Sequence, residues 1–176
     1  DTGKNKNGEI IYVTDGTKES KTHPSGAIAQ VEIGYIFTND GTPVEVYKFL
    51  SGDPGWKTDC HGLTFADGKY WINNDQVRKI LKGDDYKEVS DGTIEKYDVV
   101  TQEDSNDEVY HSSTVTCTNG SCKDSSSYGI GGVETVPIDR PIEETEKIME
   151  SVYRNRINMI NKFYRQVVPN KVFTTT

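Results

Sequence analysis

Glycines recur from residue 3 to residue 132 and separate short stretches of mixed apolar and polar residues, and this spacing most constrains the fold. The 176 residues include sixteen glycines and ten tyrosines. Glycine favours turns and tyrosine favours strands. The pattern therefore predicts turns and strands rather than a helical bundle. The length is sufficient for one domain with a buried core.

The first half of this pattern predicts an N-terminal hairpin. The polar residues 1–8 are expected to form a flexible lead-in. Residues 10–13 form a predicted short strand, which a polar loop follows. Residues 27–38 alternate as a strand does, and Asn39-Asp40-Gly41 is a hairpin turn signal before a returning strand at residues 44–50.

The middle of the chain predicts two short helices and then a small antiparallel sheet. One helix begins at Cys60, and Asn74 and Asp75 are suited to cap a second helix over residues 76–81. Four strands should follow, and an acidic loop at residues 102–107 separates the first two. The predicted strands cover residues 97–100, 109–117, 122–128 and 133–136.

The C-terminal part predicts a long helix. Asp139 can cap it, Pro141 suits its first turn, and apolar residues recur at three- and four-residue steps over residues 141–168. Residues 169–176 remain as a tail. The expected architecture is therefore an α+β fold in a single domain over residues 9–168.

The charge of the chain limits its partners. A formal net charge of −8 disfavours binding to a phosphate backbone, so nucleic acid is an unexpected ligand. No run approaches eighteen apolar residues, so no membrane span is predicted. The first residues do not form a signal peptide, and the absence of an initiator methionine predicts a mature or excised fragment.

The three cysteines do not form a metal site, because a structural zinc ion requires four Cys or His ligands at characteristic spacing. Cys117 and Cys122 bracket a tight turn, where a small disulfide can form. Three reduced cysteines are the alternative, and both remain open from the sequence. If the disulfide forms, Cys60 is the odd thiol and is flagged as reactive.

Cys60 is the candidate nucleophile, because it follows a turn-rich stretch and opens a predicted helix. A helix N-terminus stabilises a thiolate through its dipole and its unpaired N–H groups. Those N–H groups also suit part of an oxyanion hole. A thiol hydrolase needs an imidazole beside the thiolate and a polar group that orients the imidazole.

His111 is the preferred base, since it opens a predicted strand that can present the ring from a rigid edge. His61 is adjacent to Cys60 on the helix and points about 100° away. His23 precedes a proline in a loop that does not fix it. For the orienting group, Asp124 is the first choice, and a hydroxyl of the run Ser125-Ser126-Ser127 is the alternative.

Three segments together resemble the papain-like superfamily, specifically NlpC-type and CHAP-type cysteine peptidases and amidases. They are Trp56-Lys57-Thr58-Asp59-Cys60-His61-Gly62, then His111-Ser112, then Ser126-Ser127-Tyr128-Gly129 with Gly131-Gly132. The resemblance covers a core of about residues 53–136. It implies a nucleophile-bearing helix packed on a small antiparallel sheet.

The same resemblance implies cleavage of an amide bond, with bacterial cell-wall peptide as the default substrate and no metal or organic cofactor. The opening residues 1–12 also resemble the segment that follows the repeat core of Rhs-type polymorphic toxins. That context implies a secreted or extracytoplasmic location and an immunity or inhibitor protein as partner.

Two other functions stay open from the sequence. The chain can be a non-enzymatic extracellular β-rich binding domain, in which Cys60 is buried and His111 is incidental. It can also be an acyltransferase or a transglutaminase-like enzyme on the same fold. Thiol reactivity separates the first alternative from the hydrolase, and product analysis with an added amine separates the second.

Overall fold

The described part of the chain consists of three sheets and two short α-helices. A computed structural model describes residues 4–5, 9–22, 26–52, 57–90, 92–104, 106–118, 121–129, 132–137, 160–167 and 172–173. The mixture of sheets and helices agrees with the α+β class predicted above.

The predicted hairpin forms and belongs to a three-stranded antiparallel sheet. Strands β3 (Ile28–Phe37) and β4 (Pro43–Phe49) pair with Val31 opposite Phe49 and Phe37 opposite Pro43. Gly41, in the turn between them, has a φ of 86°, which glycine adopts without steric cost. The predicted turn chemistry is therefore confirmed.

The first strand of this sheet lies later in the chain than predicted. Strand β2 covers Val13–Thr22, so most of the residues expected as a polar loop are in a strand. They pair with β3 in antiparallel register, with a bulge between Thr14 and Lys18. Most of their side chains are exposed, which explains why no apolar alternation marked them.

A six-stranded antiparallel sheet carries the second half of the fold. The strands are β5 (Tyr86–Glu88), β6 (Val99–Glu103), β7 (Val109–Thr118), β8 (Ser121–Gly129), β9 (Gly132–Pro137) and β10 (Ile160–Gln166). Their order in the sheet is β5-β10-β6-β7-β8-β9. The meander from β6 to β9 confirms the four predicted strands and their sequential antiparallel pairing.

The predicted acidic loop is wrong at its start. Gln102 and Glu103 lie within β6 and are fully buried. The Glu103 carboxylate accepts hydrogen bonds from Tyr164 at 2.7 Å and Thr101 at 2.5 Å, and it pairs with Arg78. These partners offset the cost of burying the charge, which the sequence alone did not reveal.

The long C-terminal helix is not formed over its last residues. Ile160–Gln166 is strand β10, which pairs with β5 on one side and β6 on the other. Residues 138–159, the rest of the predicted helix with its Asp139 cap, lie outside the described residues. Aromatic and β-branched residues fit a strand well when two sheet edges are available to pair with it.

The two helices lie where the sequence predicted them. Helix α1 covers Cys60–Ala66, and α2 covers Val77–Gly83 after a single 3₁₀ turn at Asn74–Gln76. Asn74 and Asp75 belong to that turn and do not cap α2 by a side chain. The helix is correct, but its predicted cap is wrong.

The hydrophobic core lies where the helices meet both large sheets. From the helical segment it includes Phe65, Ile72, Val77 and Ile80, all essentially without solvent exposure. From the sheets it includes the following residues: Ile36, Val44, Val46, Val99, Val109 and Tyr164. This packing holds α1 against β7 and β8 and so positions the Cys60 segment.

The predicted lead-in and tail contact each other. Strand β1 (Lys4–Asn5) pairs in parallel with β11 (Val172–Phe173). Among the described helices, none is long and apolar enough to cross a membrane.

Candidate functional site

Cys60 is the first residue of α1, as predicted, and it is half-buried. It is also the one free thiol of the chain, because Cys117 and Cys122 are joined by a disulfide with an S–S distance of 2.01 Å. The first N–H groups of any α-helix have no partner within the helix. In α1 the N–H groups of Gly62 and Leu63 bond to Asp59, so those of Cys60 and His61 are the donors left at the end of the helix that carries the thiol.

Asp59 caps this helix. Its carboxylate accepts hydrogen bonds from the N–H groups of Gly62 at 2.8 Å and Ile72 at 3.1 Å. Burial raises the pKa of the Asp59 carboxyl to about 6, while the nearby His61 and these two N–H groups oppose the rise. The Asp59 side chain thus bonds both to the first turn of α1 and to Ile72, and its burial disfavours the ionised form of the carboxyl group.

Gly62 allows α1 to approach this segment closely. A Cβ atom at this position would lie 1.9 Å from the carbonyl oxygen of Tyr70 and 2.2 Å from the Thr58 hydroxyl oxygen. Thr58 itself donates to the same Tyr70 carbonyl at 2.9 Å. The glycine after Cys60-His61 is therefore a packing requirement.

His61 fastens α1 to strand β7. Its Nδ1 lies 2.7 Å from the Ser112 Oγ, and its Nε2 lies 2.8 Å from the Asn74 Oδ1. The His61 and Ser112 side chains are fully buried. Burial lowers the pKa of the His61 imidazole, although attraction to Asp59 and the bond to Asn74 oppose this.

Two hydroxyl groups extend this network to the backbone of α1. Thr64 donates to the carbonyl oxygen of Cys60 at 2.9 Å, and the Ser112 Oγ lies 3.1 Å from the Thr64 Oγ1. With hydrogen on Nε2, a neutral His61 ring donates to the Asn74 Oδ1 and accepts from Ser112 at Nδ1. With hydrogen on Nδ1, the ring donates to Ser112, which then donates to Thr64.

His111 lies in β7, as predicted, but the structure does not bring it to Cys60. Ser112 faces α1, and adjacent residues of a strand point to opposite faces of the sheet. Paired residues of neighbouring strands share a face of the sheet, and His111 pairs with Gln102 whereas Ser112 pairs with Thr101. The His111 side chain therefore belongs to the face of the sheet away from α1.

Asp124 lies in β8 and is not beside His111. Its Cα partner in β7 is Thr116, five residues from His111, which is about 17 Å along a strand. Thr116 is four residues from Ser112 in β7, an even number, so both side chains lie on the face of the sheet toward α1. Asp124 pairs with Thr116 and therefore lies on the same face. Of the alternative hydroxyls, the buried Ser125 accepts from Ser113 at 3.0 Å.

Gln102 is the polar neighbour of His111 that the sequence reasoning missed. It is fully buried, and its Nε2 donates to the Asn161 Oδ1 at 2.7 Å. Its Oε1 has no hydrogen-bond partner among the described residues. No sequence signal points to it, because the sequence predicts an acidic loop at Gln102 and a helix at Asn161.

Comparison with known proteins finds no matching family model, no matching curated protein and no matching solved structure. Within the described residues, no three His, Cys, Asp or Glu side chains converge in a way that could hold a metal ion. The chemistry of the site must therefore be argued from Cys60 and its surroundings.

Proposed function

We propose that the chain is a cysteine-dependent amide hydrolase in which Cys60 is the nucleophile. The observation that carries the proposal is the position of the one free thiol, half-buried at the first residue of a capped helix that packs on an antiparallel sheet. The resemblance to NlpC-type and CHAP-type enzymes supports the same assignment. Bacterial cell-wall peptide is the proposed substrate, in an extracytoplasmic or toxin context with an immunity or inhibitor protein as partner.

The proposed reaction begins when the Cys60 thiolate attacks the carbonyl carbon of an amide. The N–H groups of Cys60 and His61, the first two of α1, then stabilise the negative charge on the carbonyl oxygen. A general acid protonates the leaving amine, and water hydrolyses the thioester to restore the thiol. The sequence predicts His111 as this acid and base, and Asp124 as the group that orients it.

The strand register weighs against these last two roles while leaving the nucleophile in place. His111 and Asp124 belong to opposite faces of the sheet, and only Asp124 shares a face with α1. His61 cannot replace His111 simply, because both of its ring nitrogens already have partners. The nucleophile and the base therefore need separate experiments.

The first experiment compares the wild type with Cys60→Ser on purified peptidoglycan and on short peptides. Serine keeps the size and the position but cannot form a thiolate at neutral pH. We expect the wild type to release new amino groups from the substrate and Cys60→Ser to release none. An unchanged rate in Cys60→Ser would remove the thiol from the mechanism.

The second experiment compares His111→Gln with Asp124→Asn under the same assay. If His111 transfers protons, its replacement should lower kcat by roughly a hundredfold or more, with a smaller change in KM. If both variants keep the wild-type rate, these two roles are wrong while Cys60 stands. Addition of an amine nucleophile distinguishes hydrolysis from acyl transfer by the product.

A non-enzymatic binding domain is the second candidate, and the separation of His111 and Asp124 from each other favours it. In that case Cys60 has no activating partner. Its alkylation by iodoacetamide at neutral pH should then be no faster than that of a small free thiol such as glutathione under the same conditions. Clearly faster alkylation of Cys60 contradicts this candidate.

A further inference from the structure

A cleft of about 360 Å³ lies between α1 and one end of the six-stranded sheet. Neutral polar side chains from three elements line it, namely Thr64 of α1, Thr114 of β7 and Gln166 of β10. The volume falls within the range of small-molecule sites, about 300–1,000 Å³. Thr114 makes no side-chain hydrogen bond with any other described residue, so its hydroxyl is available to a ligand.

Arg165 and Asp98 of the cleft are already paired. Arg165 holds the buried Asp98 through two hydrogen bonds of 2.9 Å and lies 3.1 Å from a Glu95 carboxylate oxygen. The Lys96 Nζ lies 5.0 Å from the centre of the Tyr97 ring, over one of its faces. A ligand without charge leaves the pair of Arg165 and Asp98 intact.

Tyr97 at the mouth of the cleft has an unusual backbone. Its φ is 74°, a left-handed conformation that is a genuine outlier for a bulky residue. The backbone is held there, because the Tyr97 N–H donates to the carbonyl oxygen of Val115 at 3.0 Å. The side chain is 71% exposed, so packing in the core does not explain an aromatic residue at this position.

Backbone conformations of this kind cost roughly 1–3 kcal/mol and concentrate at binding sites. Glycine would remove that cost at Tyr97. An exposed aromatic ring in such a position instead offers a flat apolar surface at the entrance of a polar cleft. An amphipathic ring with neutral hydroxyl and amide groups beside it suits a ligand that has both an apolar face and many hydroxyl groups.

We propose that this cleft binds an uncharged saccharide, with one sugar ring against the face of Tyr97 that Lys96 does not cover and a sugar hydroxyl group bonded to Thr114. Tyr86 forms a wall of the cleft and is itself fixed edge-on against Phe65 at 6.1 Å. The proposal concerns binding alone and does not depend on catalysis by Cys60. Failure of either proposal leaves the other unaffected.

Titration of the full chain with uncharged trisaccharides, observed by amide NMR, tests the proposal. The probes are chitotriose, cellotriose and maltotriose, and glutamate serves as a charged comparison. Saturable shifts for at least one trisaccharide, at amides of the 95–98 loop and β7, are the expected result. Absence of saturable shifts for all three, or stronger binding of glutamate, overturns the proposal.

Variants of Tyr97 make the test specific. Tyr97→Ala keeps a Cβ atom, and so the backbone strain, while removing the ring, and it should weaken binding about fivefold, the cost of one aromatic contact. Tyr97→Phe keeps the ring and should bind within about twofold of the wild type. Equal binding by wild type and Tyr97→Ala refutes the assignment, and the amide spectrum of each variant verifies its fold.

Discussion

Replacement of Asp59 by asparagine isolates the cost of ionising the carboxyl group beneath Cys60. Asparagine keeps a side-chain oxygen that can accept from Gly62 and Ile72, and it is as good an N-cap as aspartate. The variant therefore preserves the cap geometry and removes the titration of Asp59 together with its attraction to His61. We expect the variant to gain stability relative to the wild type as the pH rises.

The magnitude follows from the shift of the Asp59 pKa from 3.8 to about 6. About two pKa units correspond to roughly 3 kcal/mol. Because the pKa is higher in the folded state, the folded chain holds its proton longer than the unfolded chain does. The stability of the wild type is therefore highest below a pH of about 4 and falls as the pH rises to about 6. Since Asp59 is not completely shielded from solvent, 3 kcal/mol is an upper figure.

Urea unfolding followed by tryptophan fluorescence, at intervals from about pH 3.5 to 7.5, measures the effect. The difference between the two free energies of unfolding is the quantity of interest. Groups that do not interact with Asp59, including Asp84 with its pKa raised to about 6 by burial, contribute equally to both proteins and cancel. His61 does not cancel, because the Asp59 charge raises the pKa of its imidazole in the wild type only. Asp59→Ser, a second uncharged cap, should give the same pH dependence as asparagine. Parallel curves for wild type and Asp59→Asn over this range would refute the reasoning.

Two further substitutions test the packing around the site. Gly62→Ala should destabilise the fold by roughly 3 kcal/mol or more, because the added Cβ atom meets the Tyr70 backbone. This loss exceeds the gain of about 1 kcal/mol that alanine normally brings to a helix. A gain of stability in urea unfolding would contradict this. Arg78→Ala should cost about 3 kcal/mol by leaving the buried Glu103 without its closest cation, and the double variant Arg78→Met with Glu103→Gln should recover most of the loss. A loss below about 1 kcal/mol in the single variant would show that the remaining partners of Glu103 suffice.

The sequence predicted those elements whose conformation depends on neighbouring residues in the chain. The turn at residues 39–41 and the start of α1 at Asp59-Cys60 depend on side chains and glycines within a few positions of each other. The four strands from β6 to β9 were also found, because apolar residues and turns mark them. Boundaries differed where pairing extended a strand into polar residues, as in β2.

Strand β10 was missed because its stability comes from neighbours distant in the chain. The aromatic and apolar residues of 160–167 recur at a spacing that also fits a helix. Both edges of β10 pair with strands formed more than fifty residues earlier, and Tyr164 adds a hydrogen bond to the buried Glu103. Periodicity alone cannot report such a partner.

By itself, the sequence determined the nucleophile candidate: the thiol that opens a helix, and the two cysteines close enough in the chain to pair with each other. Only the tertiary structure decided which imidazole lies between α1 and β7: it is that of His61, and His111 is on the other face of the sheet. One residue along a strand reverses the face of the sheet, so Ser112 contacts His61 while His111 turns away. The proximity of His61 to Asn74 and Ser112 likewise depends on how helix, turn and strand pack together. A thiol at the start of a helix can thus be recognised from a few neighbouring residues. The groups that surround it come from distant parts of the chain and depend on the fold.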